Sequence, residues 1–206
     1  MIDSSWPRVL AMILATVGIL VGLGCASPPK VHYYTLGGVS VTLPGEVDST
    51  KPLIRVERLA VAEPYAGRRI VYRPAANEVA FWDFRQWAEP PGRMITARVA
   101  AHLAQSGLFR DVDSFPYSWE KADLVLRGAV LAFEEVDRGD EWYGRVKLFL
   151  ELVEPKAGRA VWSSKIEAEK KARKRNPEAL VDVLAEALDE AIVVAEGKMA
   201  KALGWR

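Results

Sequence analysis

Apolar and polar residues alternate with a period of two in several short stretches of this 206-residue chain, and in two places the period lengthens to nearly four. The first pattern predicts strands and the second predicts helices. Residues 31–36 are β-branched and aromatic and predict a first strand, and the Gly-, Pro-, Ser- and Asp-rich stretch 37–52 predicts a loop. Residues 53–61 alternate through Ile54, Val56, Leu59 and Val61, slipping by one near Glu57 and Arg58, which predicts a strand with a bulge. Residues 69–73 and 78–82 face each other across Pro74–Asn77 as a predicted hairpin. From Pro91 the apolar stripe Ile95, Val99, Leu103 predicts a helix that Gly107 stops, with Arg93, Arg98 and His102 beside the stripe. Residues 108–112 predict a short strand and 113–118 a loop.

In the second half, Leu124, Leu126, Gly128, Val130 and Ala132 share one predicted face, with Val125, Ala129, Leu131 and Phe133 opposite. Two apolar faces predict a central strand. A turn at 137–140 leads to the half-exposed strand carrying Val146, Leu148, Leu150 and Leu152, and a turn at 155–158 leads to a further strand over 160–169. Arg138-Gly139-Asp140 is also a short adhesion motif, but here it reads as hairpin chemistry. Asn176 and Pro177 then open a long amphipathic helix as N-cap and first helical residue, with Leu180, Leu184, Leu188, Ala191, Ala195 and Met199 along one side. The predicted fold is α/β (α+β): a single domain with a mixed, mostly antiparallel sheet, a β-hairpin, and two main helices packed on the sheet.

The N-terminus changes this picture. Arg8 precedes 15 uncharged, mostly apolar residues, 9–23, and the run ends at Gly22-Leu23-Gly24-Cys25. That length suits a signal-peptide core, whereas a spanning helix needs about 20 residues. Cys25 is the only cysteine, so no intramolecular disulfide is available. A cysteine after a small residue at the end of such a run resembles the lipobox of bacterial lipoproteins. The resemblance implies a signal peptide over 1–24 and a mature chain over 25–206 lipidated at Cys25. Residues 25–52 would be tether, first strand and loop, and 53–206 the compact body. The competing reading is an uncleaved membrane anchor with an incidental cysteine. Five residues separate Cys25 from Val31, so the body would lie within roughly 20 Å of the lipid.

Composition mainly excludes. The net charge of +1 gives no reason to expect nucleic acid. There is no glycine-rich phosphate loop and no Gly-x-Ser-x-Gly elbow, and the two histidines, His32 and His102, lie far apart. Glu134-Glu135 and Asp189-Glu190 read as ordinary surface carboxylates. The expectation is therefore no catalytic residue, no metal and no cofactor. Two segments remain as candidate contact surfaces. Trp82, Phe84 and Trp87 lie in an aromatic-rich run, cannot all share one face of a regular strand, and are candidates for binding a partner; the bland alternative is core. Lys170, Lys171, Arg173, Lys174 and Arg175 form a basic cluster that could meet anionic headgroups, the alternative being a solvated strand end.

Taken in order, the lipobox, the Ser27-Pro28-Pro29 and His32-Tyr33-Tyr34-Thr35-Leu36 run, the strand over 54–61, Arg69-Ile70-Val71-Tyr72-Arg73, Asn77-Glu78-Val79 and Trp87-Ala88-Glu89-Pro90 resemble the ABC-type transport auxiliary lipoprotein family, typified by paraquat-inducible lipoprotein C. The resemblance implies a docking or adaptor lipoprotein of an MCE-type lipid transport system, partnered by an MCE-domain protein. It implies an outer-membrane location facing the periplasm, held by outer-membrane lipid through acylated Cys25. Inner-membrane anchoring and homo-oligomer formation stay open. Two other functions also stay open: a periplasmic lipid carrier, and an outer-membrane assembly lipoprotein.

Overall fold

The computed structural model describes residues 28–38, 48–114 and 121–205. Cys25, the leader, and parts of the predicted loops at 37–52 and 113–118 lie outside the described residues. The folded body begins at Val31. Its elements are β1 (His32–Tyr34), β2 (Leu53–Val56), β3 (Ala60–Val61), β4 (Arg69–Ala75), β5 (Glu78–Trp87), α1 (Pro91–Gln105), β6 (Asp111–Asp113), β7 (Leu124–Arg138), β8 (Glu141–Glu154), β9 (Arg159–Lys171) and α2 (Pro177–Ala202). One nine-stranded mixed sheet carries both helices, as the apolar pattern predicts.

β7 is the spine of the sheet. Along one edge it pairs with β8 in antiparallel register, from Val125 opposite Val153 to Arg138 opposite Glu141. Along the other edge three short strands take turns, all parallel to it: β2 at Leu124–Leu126, β3 at Ala129 and Val130, β4 at Glu134–Val136. The single strand expected over 53–61 is thus two strands. At the predicted slip the chain steps outward and rejoins β7, with the Glu57 amide donating to the Leu126 carbonyl and the Ala62 amide to that of Val130, both at 2.9 Å. Beyond β4 lie β5 and, at the edge, β1. The antiparallel pairings β7–β8–β9 are the long ones, while β1, β2, β3, β4 and β6 each contribute a short parallel pairing.

The spine also contains a correction. Val130 faces Leu148 and Ala132 faces Lys147, so Leu131 is an extra residue without a partner across the ladder. Such a bulge reverses the alternation beyond it. Phe133, expected opposite Val130, joins Leu126 and Val130 in the main core beneath the helices, while Ala132 packs on the other side with Tyr65 and Val71. Leu131 is left exposed.

Both helices begin as the sequence predicts. Asn176 accepts a hydrogen bond from the Ala179 amide at 2.7 Å, and Pro91 and Pro177 occupy first-turn positions. α2 lays Leu184, Ala187, Leu188, Ala191 and Ala195, all nearly inaccessible, over β8 and β9. It can approach so closely because β8 carries Gly144; a Cβ there would meet the Leu184 amide nitrogen at 2.9 Å. α1 covers β2, β3 and β6, and buried Thr96 ties it to the sheet, its hydroxyl accepting from the Leu59 amide at 3.0 Å and donating to the Gly92 carbonyl at 2.6 Å. The helices are clamped to each other by Arg98, whose Nε and Nη2 donate to Asp189 at 2.5 and 2.7 Å, with His102 Nε2 2.9 Å from the same carboxylate. Burial alone would push Asp189 up, but Arg98 and His102 hold it below the usual carboxylate range. Among the described residues no helix is long and apolar enough to cross a membrane.

Candidate functional site

The aromatic run belongs to β5, which continues to Trp87 beyond the end predicted for it at residue 82. Pairing with β4 jumps from Val71–Phe81 to Arg69–Gln86, so residues 82–85 form an extended bulge. Within it Phe84 has φ +54°, the left-handed region that costs a non-glycine residue about 1–2 kcal/mol. This turn of backbone rephases the strand. Trp82 and Trp87, an odd number of residues apart, both pack against the main core, while the Phe84 ring is turned out and half exposed. The three aromatics therefore part company. Trp87 is 1% exposed and rests on Phe133, ring centroids 5.2 Å apart, so as a partner-binding candidate it is corrected to a core residue. Trp82 is partly buried and edges against Tyr72. Only Phe84 presents its ring to solvent, and on the neighbouring strand β1 the exposed ring is Tyr33, opposite Gln86.

β7 carries next to Trp82 two acids that the sequence predicts to be surface carboxylates. Glu134 and Glu135 are both 1% exposed, one on each face of β7. Glu134 accepts from the Tyr65 hydroxyl at 2.6 Å and is forked by Arg73 and Arg145. Burial opposes its ionisation, but these donors outweigh it and hold Glu134 below the usual range. Glu135, on the helix side, accepts from Trp82 Nε1 at 3.0 Å and sits beside Asp137. Burial, then hydrogen bonding and repulsion from Asp137, push it up to about 7, against the pull of Trp82 and Arg175. Arg175 donates to Asp137 at 2.6 Å, lies 3.5 Å from Glu135, and is stacked over Trp142. Buried acids in a central strand demand partners, and that demand was the available signal: the same apolar pattern that makes β7 central places Glu134 and Glu135 inside.

Arg85 was missed altogether. It lies over the Trp82 ring, 5.3 Å from the centroid, and with Tyr72, Phe81, Trp82, Asp83 and Arg175 it lines a cavity of 260 Å³. A larger cleft of 740 Å³ lies between β2 and α1, lined by Arg55, Val56, Glu57, Arg58, Arg93, Thr96, Ala97 and Ser114. Among the described residues no group of acids and histidines could hold a metal.

The basic cluster is largely taken up by the fold. Lys170 pairs with Glu190, Lys171 with Glu141, and Arg175 with Asp137 and Glu135. Lys171, Arg173, Lys174 and Arg175 are all exposed, and among the described residues Arg173 and Lys174 carry no ion pair. The pairing follows from placement: the cluster runs from the end of β9 to the cap of α2, where β7, β8 and α2 all present carboxylates.

The fold has close counterparts among solved structures. Protein XCC0632 from Xanthomonas campestris superposes with a TM-score of 0.72 at 20% identity, over 84% of this chain and 96% of that one. A second, described only as an uncharacterized protein, gives 0.63 at 22% identity over 82% and 99%. At these identities both speak to the fold alone. No curated protein sequence matches. A family model described as the ABC-type transport auxiliary lipoprotein component matches residues 34–193, nearly the whole of the described body. The chain belongs to the ABC-type transport auxiliary lipoprotein component family.

Proposed function

We propose that this lipoprotein is a non-catalytic docking subunit of an MCE-type lipid transport system, anchored in the outer membrane through acylated Cys25 and facing the periplasm. The observation that carries this reading is the pair of exposed aromatics, Tyr33 and Phe84, on two hydrogen-bonded neighbouring strands, one of them held out by a strained backbone. Strain of this kind persists where the surrounding structure enforces it and is concentrated at functional positions. Aromatic side chains dominate the energetics of protein contacts. β1 is also the first element after the proposed anchor, so this surface would lie close to the lipid. Family membership supports the link to ABC transport.

The test is recovery of an MCE-domain protein by the full-length chain from detergent-solubilised envelopes. Tyr33→Ser with Phe84→Ala should abolish recovery without lowering the melting temperature, since neither ring is buried. Recovery that persists in the double variant would sink the docking reading. Separately, Cys25→Ser should move the protein from the membrane to the soluble fraction, and a variant that stays membrane-bound would remove the lipid anchor from the proposal.

A further inference from the structure

Arg85 is a cation partly withdrawn from water with no carboxylate paired to it among the described residues. Its Nη1 donates to the Asp83 carbonyl at 3.2 Å, its Nε is buried with no acceptor, and its other neighbours are the Tyr34 hydroxyl and the face of Trp82. Among the described residues it forms no ion pair, not even with Asp83, which also lines the cavity, whereas Arg73, Arg98, Arg145 and Arg175 each hold a carboxylate. Burying an unpaired charge is costly, and the cost is recovered only when a partner supplies the opposite charge. The guanidinium is also pre-oriented: stacking on Trp82 fixes its plane, and a fixed planar fork suits a carboxylate better than a flexible ammonium would. Phe84, the preceding residue in the chain, is half exposed outside the cavity lining, so a partner segment seated on Arg85 has an apolar contact one residue away along β5.

We propose that the cavity at Arg85 receives an acidic side chain of the docking partner, an Asp or Glu whose apolar neighbour packs on Phe84. This rests on the docking reading above and adds the chemistry of the anchor. At 260 Å³ the cavity is smaller than those that enclose drug-sized ligands, about 300–1,000 Å³, and suits one side chain rather than a whole molecule. Arg175, which also lines the cavity, is already engaged by Asp137, so the attraction comes from Arg85.

The experiment places p-benzoylphenylalanine at position 84 of the full-length chain in cells and maps the photo-crosslinked product by mass spectrometry. The crosslinked partner segment should contain an Asp or Glu beside the attachment point. In the same background Arg85→Gln should cut the yield about tenfold, the scale of a lost hydrogen bond to a charged group, with Arg85→Lys retaining part of it. Arg85→Glu should be rescued by replacing the partner's acid with Lys. An acid-free crosslinked segment, or a yield unchanged in Arg85→Gln at equal melting temperature, overturns the acidic anchor and leaves docking standing. Crosslinking to phospholipid only, or no adduct, overturns both.

Discussion

Replacing Glu135 by Gln should stabilise this protein above neutral pH and leave it nearly unchanged in mild acid. Glu135 is buried beside Asp137, with one guanidinium, Arg175, between them. Its folded-state pKa of about 7 lies above the ordinary 4.5, so the folded chain holds a proton there that the unfolded chain releases. The sign follows from linkage: the stability associated with that proton is fully present below pH 4.5 and is lost as pH rises through about 7. The loss is (7 − 4.5) units at 1.36 kcal/mol each, on the order of 3 kcal/mol. For a domain of this size that corresponds to a melting-temperature change on the order of 10 °C. Gln reproduces the protonated form: its carbonyl can accept from Trp82, and its amide can donate to Asp137, as the carboxylic acid does. Thermal melts of the two proteins across the pH range should coincide near pH 4.5 and diverge to the full difference by about pH 8. Glu196, pushed up by burial against the pull of His102, contributes in the same direction in both proteins and cancels in the comparison. Parallel melting curves, with no widening gap between pH 4.5 and 8, would refute the shared-proton account of this pair.

Three further outcomes are expected. Phe84→Gly should raise stability by about 1 kcal/mol in urea titration, because glycine occupies the left-handed region without strain and the lost ring is half exposed; a drop would mean that the ring is held by contacts. Gly144→Ala should lower stability by about 3 kcal/mol, since the new methyl would lie 2.9 Å from both the Leu184 amide nitrogen and Val183 Cγ2 and would lift α2 off the sheet; far-ultraviolet dichroism during denaturation reads the shift. Asp189→Asn should cost about 2 kcal/mol by breaking the fork to Arg98, and it should flatten the acid limb of the stability curve, because a depressed carboxylate gives up its contribution as pH falls through its folded value. An unchanged acid limb would assign that limb elsewhere, to Glu134 first.

The amphipathic helices, the centrality of β7 and the hairpin turns were legible because each is written locally: a stripe recurring every four residues, an apolar run on both faces, Gly139 and Gly158 at positive φ where the chain reverses. What the sequence hid was phase. Single extra residues at Leu131 and around Phe84 reverse which side chains face the core, and nothing in a periodic pattern marks where an insertion falls. Hence the periodic pattern puts Phe133 on the wrong side and leaves Trp87 undecided between core and surface. Partnerships were hidden for a different reason. Tyr65 meets Glu134 across 69 positions and Arg98 meets Asp189 across 91, distances over which no local rule reaches. The Glu134-Glu135 pair could have been flagged, since acids within a strand read as central cannot be solvated.

The arrangement of short strands along β7 also dictates an order of assembly. β7, β8, β9 and α2 follow one another in the chain, joined by tight turns, and pack together as a unit of residues 124–202. β3 pairs with β7 alone, β2 and β4 each need β7 for one of their two edges, and Leu53 must wait for Asp123, 70 residues further on. Closing such long loops is slow compared with zipping adjacent hairpins. The half emerging last is thus the template for the half emerging first. A chain crossing a membrane N-terminus first could zip β4 against β5 at once, but it would leave β3 and one edge each of β2 and β4 unpaired until β7 had followed.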